Sequence, residues 1–170
     1  MDLRNTSKPN NFAYIDFHNL FYAIQNLGWF IDYEKFRKYL YEKYSISKAY
    51  VFIGFVEENQ QLYNKLQSSG FVLIFKPVLI DGNHKIKGNC DAELVLQVMI
   101  DFNAYDKAIL VTGDGDFYCL VKYLDEKVKL GMVLAPSVKN CSSLLKRVAK
   151  KKIALVSDLQ AKIEYKKRTS

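Results

Sequence analysis

Four aspartates draw attention first, because an α/β sheet would expose all of them along one rim. Asp16 closes an apolar stretch at residues 12–15. Asp114 and Asp116 follow another, at residues 108–111, within Thr112-Gly113-Asp114-Gly115-Asp116. Asp91 opens a helical pattern. Two carboxylates about 5 Å apart repel by roughly 3 kcal/mol at an effective dielectric near 20, so such a cluster takes up protons or binds a cation. Cys90, Cys119 and Cys141 form no C-x-x-C pair, and His18 and His84 lack zinc-ligand spacing. Oxygen donors alone suit Mg²⁺ or Mn²⁺. A hard divalent ion held this way activates water and neutralises phosphate charge, and a pair of ions clamps an in-line phosphodiester displacement. Taken singly, each acid also fits a plainer role, Asp91 and Asp116 as helix caps and Asp114 as a turn residue.

The positions of the acids depend on the elements around them. Strands are expected at residues 12–15, 49–55, 71–75, 108–111, 128–135 and 153–156, with 71–75 buried. Between them lie helical patterns. One runs through Leu20, Phe21, Ile24 and Leu27 to a stop at Gly28. The next starts at an Asp32 cap and carries Phe36, Tyr39 and Leu40, and a third spans 59–69 and ends at Gly70. Asp91 opens a helix with Leu94, Val95, Val98 and Met99 inward, and Phe117, Leu120, Val121 and Leu124 mark another. Residues 142–149 are helical, and Ser157 or Asp158 caps a terminal helix. Residues 77–89 contain Asp81-Gly82-Asn83 and Lys87-Gly88-Asn89 and read as a hairpin-like or flexible loop.

Alternating strands and helices imply a three-layer α/β/α sandwich around a central, mostly parallel sheet. Ligands of such sheets bind outside the carboxyl ends of the strands, where Asp16, Asp91, Asp114 and Asp116 all fall. Asp101 lies about 15 Å further down the helix from Asp91, at the opposite edge. Asp106, before a strand, is there too. Residues 1–11 read as a disordered lead-in, 12–165 as one domain and 166–170 as a basic tail.

With 49% hydrophobic and 25% charged residues, the chain has an ordinary globular composition. Its polar opening and short apolar runs lead us to expect a cytoplasmic protein with no membrane association. The net charge of +7 is uneven. Residues 139–170 hold ten basic side chains against Asp158 and Glu164, which leaves the rest of the chain near neutral. A basic end on a neutral body fits a polyanionic partner, and it also fits a plain solvated surface. Candidate phosphate contacts are Lys76, Lys85 and Lys87 near the rim, and Lys146, Arg147 and Lys150 in the basic segment.

Three segments together resemble the NYN domain family of PIN-like ribonucleases. Tyr14-Ile15-Asp16-Phe17-His18-Asn19 looks like its first-strand motif, with Asn three residues after Asp. Lys87-Gly88-Asn89-Cys90-Asp91 is similar to its Lys-Gly-x-x-Asp at a helix start, and Thr112-Gly113-Asp114-Gly115-Asp116-Phe117 to its Ser/Thr-Gly-Asp-x-Asp-Phe signature. The resemblance implies a PIN-like fold and metal-dependent cleavage of RNA. By it, Asp16, Asp91, Asp114 and Asp116 are the catalytic, metal-binding positions, with Asn19 and Thr112 in support. Two positions depart from the pattern. Phe17 replaces a common Gly and would reshape the mouth of the site, and Gln97 stands where many relatives carry a further Asp.

Two functions from different classes therefore compete. One is a Mg²⁺- or Mn²⁺-dependent endoribonuclease. The other is a non-catalytic RNA-binding or regulatory module whose basic end supplies the affinity. DNA stays open as a substrate, since nothing in the sequence reads a 2′-hydroxyl. A homodimer also stays open. A haloacid-type phosphatase fits poorly, because Asp16-Phe17-His18 stands where its Asp-x-Asp would follow the first strand.

Overall fold

In the computed structural model, which describes residues 8–77 and 90–167 and the backbone of 79–80 and 86–87, each strand feeds two separate cores. Successive side chains of a strand point to opposite faces. Along β1 (Asn11–Asp16), Phe12 and Tyr14 enter one core, Ala13 and Ile15 the other. β2 (Ile46–Phe55) divides likewise, with Tyr50 and Phe52 on one face and Val51 and Ile53 on the other. In β6 (Ala108–Val111) Ala108 and Leu110 oppose Ile109 and Val111. Strands buried on both faces read as continuous apolar runs, as these do.

The sheet runs β3-β2-β1-β6-β7-β8, every neighbour parallel, with β3 at Val72–Pro77, β7 at Leu130–Ala135 and β8 at Ile153–Leu155. One face carries α1 (Ala23–Gln25), α2 (Tyr33–Tyr44), α3 (Gln60–Ser68) and α7 (Gln160–Ile163). The other carries α4 (Asp91–Ile100), α5 (Tyr118–Glu126) and α6 (Ser143–Ala149). The expected three-layer α/β/α architecture is the observed one.

Several local expectations hold for visible reasons. Asp32 caps α2 by accepting from the Lys35 N–H at 3.1 Å. Gly28 and Gly70 take φ of 89° and 90° at the expected stops, a region closed to most side chains. The segment between β3 and α4 forms an antiparallel pair, β4 (Leu79–Ile80) with β5 (Ile86–Lys87). Asn10 and Asn11, at the end of the segment read as a lead-in, are pinned. The Asn10 N–H donates to Asp106, and the Asn11 side chain to the Tyr44 carbonyl.

Other expectations need correction. β3 is an edge strand whose residues are half-buried or exposed, because the crossover after α3 leaves nothing beyond it. Val72 and Phe75 are open on it. Neither Ser157 nor Asp158 caps the last helix, which grows out of a 3₁₀ turn at Val156–Leu159. The helix expected after Asp16 begins as a π turn, His18–Tyr22. Among the described residues, no helix is long and apolar enough to cross a membrane.

Strand order decides where a site can form. The chain builds β1, β2 and β3 outward on one side, then crosses back through α4 to place β6 on the other side of β1. Connections therefore leave β1 and β6 in opposite directions and open a crevice at their carboxyl ends. Asp16 ends β1, and Thr112 follows β6.

Candidate active site

Parallel pairing of Ile15 with Val111 sets Asp16 beside Thr112, 96 residues later in the chain. Thr112 is wholly buried. Its hydroxyl donates to Asp16 Oδ2 at 3.3 Å and accepts from the Asp114 N–H at 3.2 Å. The π turn brings Asn19 to the same place. Its N–H donates to Asp16 Oδ1 at 3.2 Å, and its side-chain oxygen accepts from the Gly113 N–H at 2.7 Å. Asn19 and Thr112 thus tie the end of β1 to the loop after β6, leaving the Asp16 carboxyl fixed between them.

Asp114 caps the 3₁₀ turn Gly115–Phe117 through Oδ1, which accepts from the Asp116 N–H at 2.9 Å. Asp91 is the first residue of α4, after Cys90. Carboxylate oxygens of Asp91, Asp114 and Asp116 lie within 4.8 Å of one another, with Asp116 exposed and the other two half-buried. Asp16 is outside that trio, yet it lines one cleft of about 350 Å³ with Asp91, Asp114, Asn19, His18 and Cys90. The topology thus gathers all four acids at one rim, three as a tight set and Asp16 beside them in the cleft.

Electrostatics agree with this geometry. Burial pushes the Asp16 carboxyl up to about 6, and the charges of Asp91 and Asp114 push the same way. The hydrogen bonds from Asn19 and Thr112 pull it back. A carboxylate held against burial and like charge is eased by a cation. The donors are all hard oxygens, so the residues present fit Mg²⁺ or Mn²⁺.

The candidate phosphate contacts scatter. Lys76, at the end of β3, pairs with Glu93 of α4 at 3.3 Å, and its charge reaches Cys90. Lys146 and Arg147 are exposed on α6, with Lys146 reaching toward the Val138 carbonyl. Lys150 ends α6 near Asp125 and Lys107, the latter just before β6, which places it at the amino edge away from the acids. Lys85 and the Lys87 side chain lie outside the described residues. Asp101 and Asp106 also sit away from the rim. Asp101 accepts from Tyr14 and Gln97, and Asp106 from Asn10.

Gln97 therefore serves the far end of α4, not a further metal position. Phe17 turns inward, stacked on Phe21 at 4.4 Å between ring centres, so it shapes the core beside the cleft and not the acidic mouth itself.

Sequence reasoning missed the loop at residues 136–142. Its Ser142 N–H donates to the Gly113 carbonyl at 2.9 Å, and Ser137 and Asn140 brace each other. The loop presses so closely on Gly113 that a Cβ there would stand 1.7 Å from the Asn140 carbonyl oxygen. Glycines flanking Asp114 were the available signal. Gly113→Ala should cost about 1–3 kcal/mol of stability, by overpacking against backbone that cannot yield. Thermal melting checks this, and an unchanged midpoint would mean that the loop gives way freely.

The model of the NYN domain matches residues 13–156. The protein named low amplitude and bright protein LabA, from Synechococcus elongatus, is 30% identical over 131 residues, covering 71% of this chain and 70% of that protein. A solved structure of a protein of unknown function from Vibrio parahaemolyticus superposes with a TM-score of 0.77 at 21% identity. That alignment spans 96% of this chain and all of the other, and it speaks for the fold alone. With the acids of the resembling motifs at one rim and the domain match spanning both strands that carry them, the chain belongs to the NYN domain family.

Proposed function

We propose that the protein is a metal-dependent endoribonuclease that hydrolyses RNA phosphodiester bonds at the acidic rim. The observation that carries this reading is the approach of Asp91, Asp114 and Asp116 to within 4.8 Å, beside a half-buried Asp16 in the same cleft. Asp16, Asp91, Asp114 and Asp116 would hold Mg²⁺ or Mn²⁺. Bound there, a divalent ion supplies Lewis acidity toward water and toward the phosphate. The chain's own residues do the rest. Asn19 and Thr112 hold the Asp16 carboxyl and the loop after β6 in fixed relation, which spares the site reorganisation during reaction. Asp114 orders the turn that presents Asp116.

The cleft half-buries Asp16 while leaving Asp116 open to an incoming strand. Lys76, Lys146 and Arg147 would meet flanking phosphates. The exposed and ion-paired among them would contribute to encounter more than to affinity.

Incubating the protein with mixed RNA and DNA, with Mg²⁺, with Mn²⁺ or with EDTA, tests the reading. Expected is RNA cleavage that EDTA abolishes. Salt-sensitive RNA binding without cleavage under either metal would replace the enzyme with a binding module.

A further inference from the structure

Beside the acidic cleft lies a second cavity of about 310 Å³ that the reaction above does not use. Its walls are largely aromatic, with Phe17, Phe21, Tyr22, Phe30 and Tyr33 around it, and Gln25 and Asn59 add amide groups. Tyr22 and Phe30 are 54% and 57% exposed, an unusual state for two large rings on the same opening. The π turn after Asp16 explains the arrangement. It sets His18 and Tyr22 in a parallel stack, 5.2 Å between centres and 8° between planes. His18 borders both cavities, so the aromatic one adjoins the rim where Asp16 and Asp91 lie.

A cavity walled by aromatic rings, edged by amide donors and acceptors and adjoining the acidic cleft, matches one ligand chemistry. Every nucleobase has two π faces and a hydrogen-bonding edge, and unpaired bases stack on aromatic side chains. A lipid tail or an aliphatic side chain offers no planar face to stack on these rings. We propose that this cavity is a base subsite, which accepts one unpaired nucleobase of the strand whose backbone crosses the acidic rim. It makes the protein selective for single-stranded or looped RNA over paired RNA, because a base in a duplex cannot leave its stack without cost. The choice of RNA rests on the nuclease reading, while the slot's preference for a planar base does not.

Two rings allow a clean test, since Tyr22 and Phe30 are each more than half exposed and Tyr22→Ala and Phe30→Ala leave both cores intact. Binding of a labelled single-stranded oligoribonucleotide is followed by fluorescence anisotropy without added metal, and cleavage is followed separately with Mn²⁺. Each variant should weaken binding about 5- to 100-fold, the range expected for losing one base stack. Tyr22→Phe should restore it. An abasic nucleotide scanned along the strand should cause the same loss at one position in the wild type, and little further loss in the variants. Equal affinity of wild type and both variants, or indifference to abasic substitution at every position, overturns the subsite. Tighter binding of duplex than of single strand also overturns it. Absence of cleavage with intact, ring-dependent binding sinks the nuclease reading alone and leaves the subsite standing. Thermal melts of each variant separate lost stacking from lost fold.

Discussion

Asp114→Asn should reduce Mn²⁺-dependent RNA cleavage by at least two to three orders of magnitude, on the order expected when a charged metal ligand is neutralised, while the protein stays folded. The substitution is close to isosteric. An asparagine keeps Oδ1, so the bond from the Asp116 N–H and the cap of the 3₁₀ turn survive. The negative charge at the centre of the acidic set is what disappears, because Asp114 belongs both to the tight trio and to the cleft that holds Asp16. Single-turnover cleavage with saturating RNA reads the effect on chemistry, and a thermal melt confirms the fold. Wild-type turnover in this variant would remove the acids from the reaction.

Asp16→Asn has a second expected signature, in stability as well as activity. A carboxyl that holds its proton more tightly folded than unfolded stabilises the fold when protonated. That contribution is complete below the ordinary value of 3.8 and is lost as pH rises through about 6. At neutral pH the metal-free protein therefore carries a deficit of about 3 kcal/mol from this one group. The amide relieves the buried charge but makes a poorer partner for the Thr112 hydroxyl. The net gain should be about 1–2 kcal/mol, or roughly 3–6 °C in melting midpoint for a chain of this length.

The gain should vanish near pH 4, where wild-type Asp16 is protonated too. Saturating Mn²⁺ should reverse the order, since only the wild type collects the full stabilisation of a bound ion. Melting both proteins at two pH values, with and without Mn²⁺, gives the four comparisons. A metal-free variant less stable than wild type at neutral pH would contradict the electrostatic account of the cleft. RNA cleavage in Asp16→Asn should fall as steeply as in Asp114→Asn.

Much of this site could be read from the chain because each acid marks the end of a strong local signal. Asp16 and Thr112 end continuous apolar runs, and Asp91 starts a periodic helix, so each could be assigned to the carboxyl edge without knowing the strand order. The adjacency of β1 and β6 could not be read, because pairing 96 residues apart leaves no mark in either strand. The same blindness made β3 look buried. Its residues resemble those of an interior strand, and only the crossover assigns it to the edge.

The π turn escaped for a related reason. The apolar spacing of Leu20 and Ile24 suits an α-helix equally well, and the wider turn accompanies a bond from Gly113 to Asn19 that joins residues 94 apart in the chain. The edge on which Lys150 falls could not be read either, because charge composition carries no direction. A short helix beginning beside the rim delivers its last residue to the opposite edge.

The seam between β1 and β6 also governs how the molecule is assembled. Strands β1 to β3 and β6 to β8 each join near neighbours in the chain through single crossovers, whereas Phe12 must find Ala108 across a long intervening stretch. High contact order leads us to expect that junction to form late, since loop closure must be met before any pairing repays it. Asp16 stands on one shore of the junction, and Asp114 and Asp116 stand on the other. A divalent ion shared between them would act as a clasp, retarding separation of the two half-sheets, and the lifetime of the native state would lengthen with metal in proportion to how fully the clasp is closed.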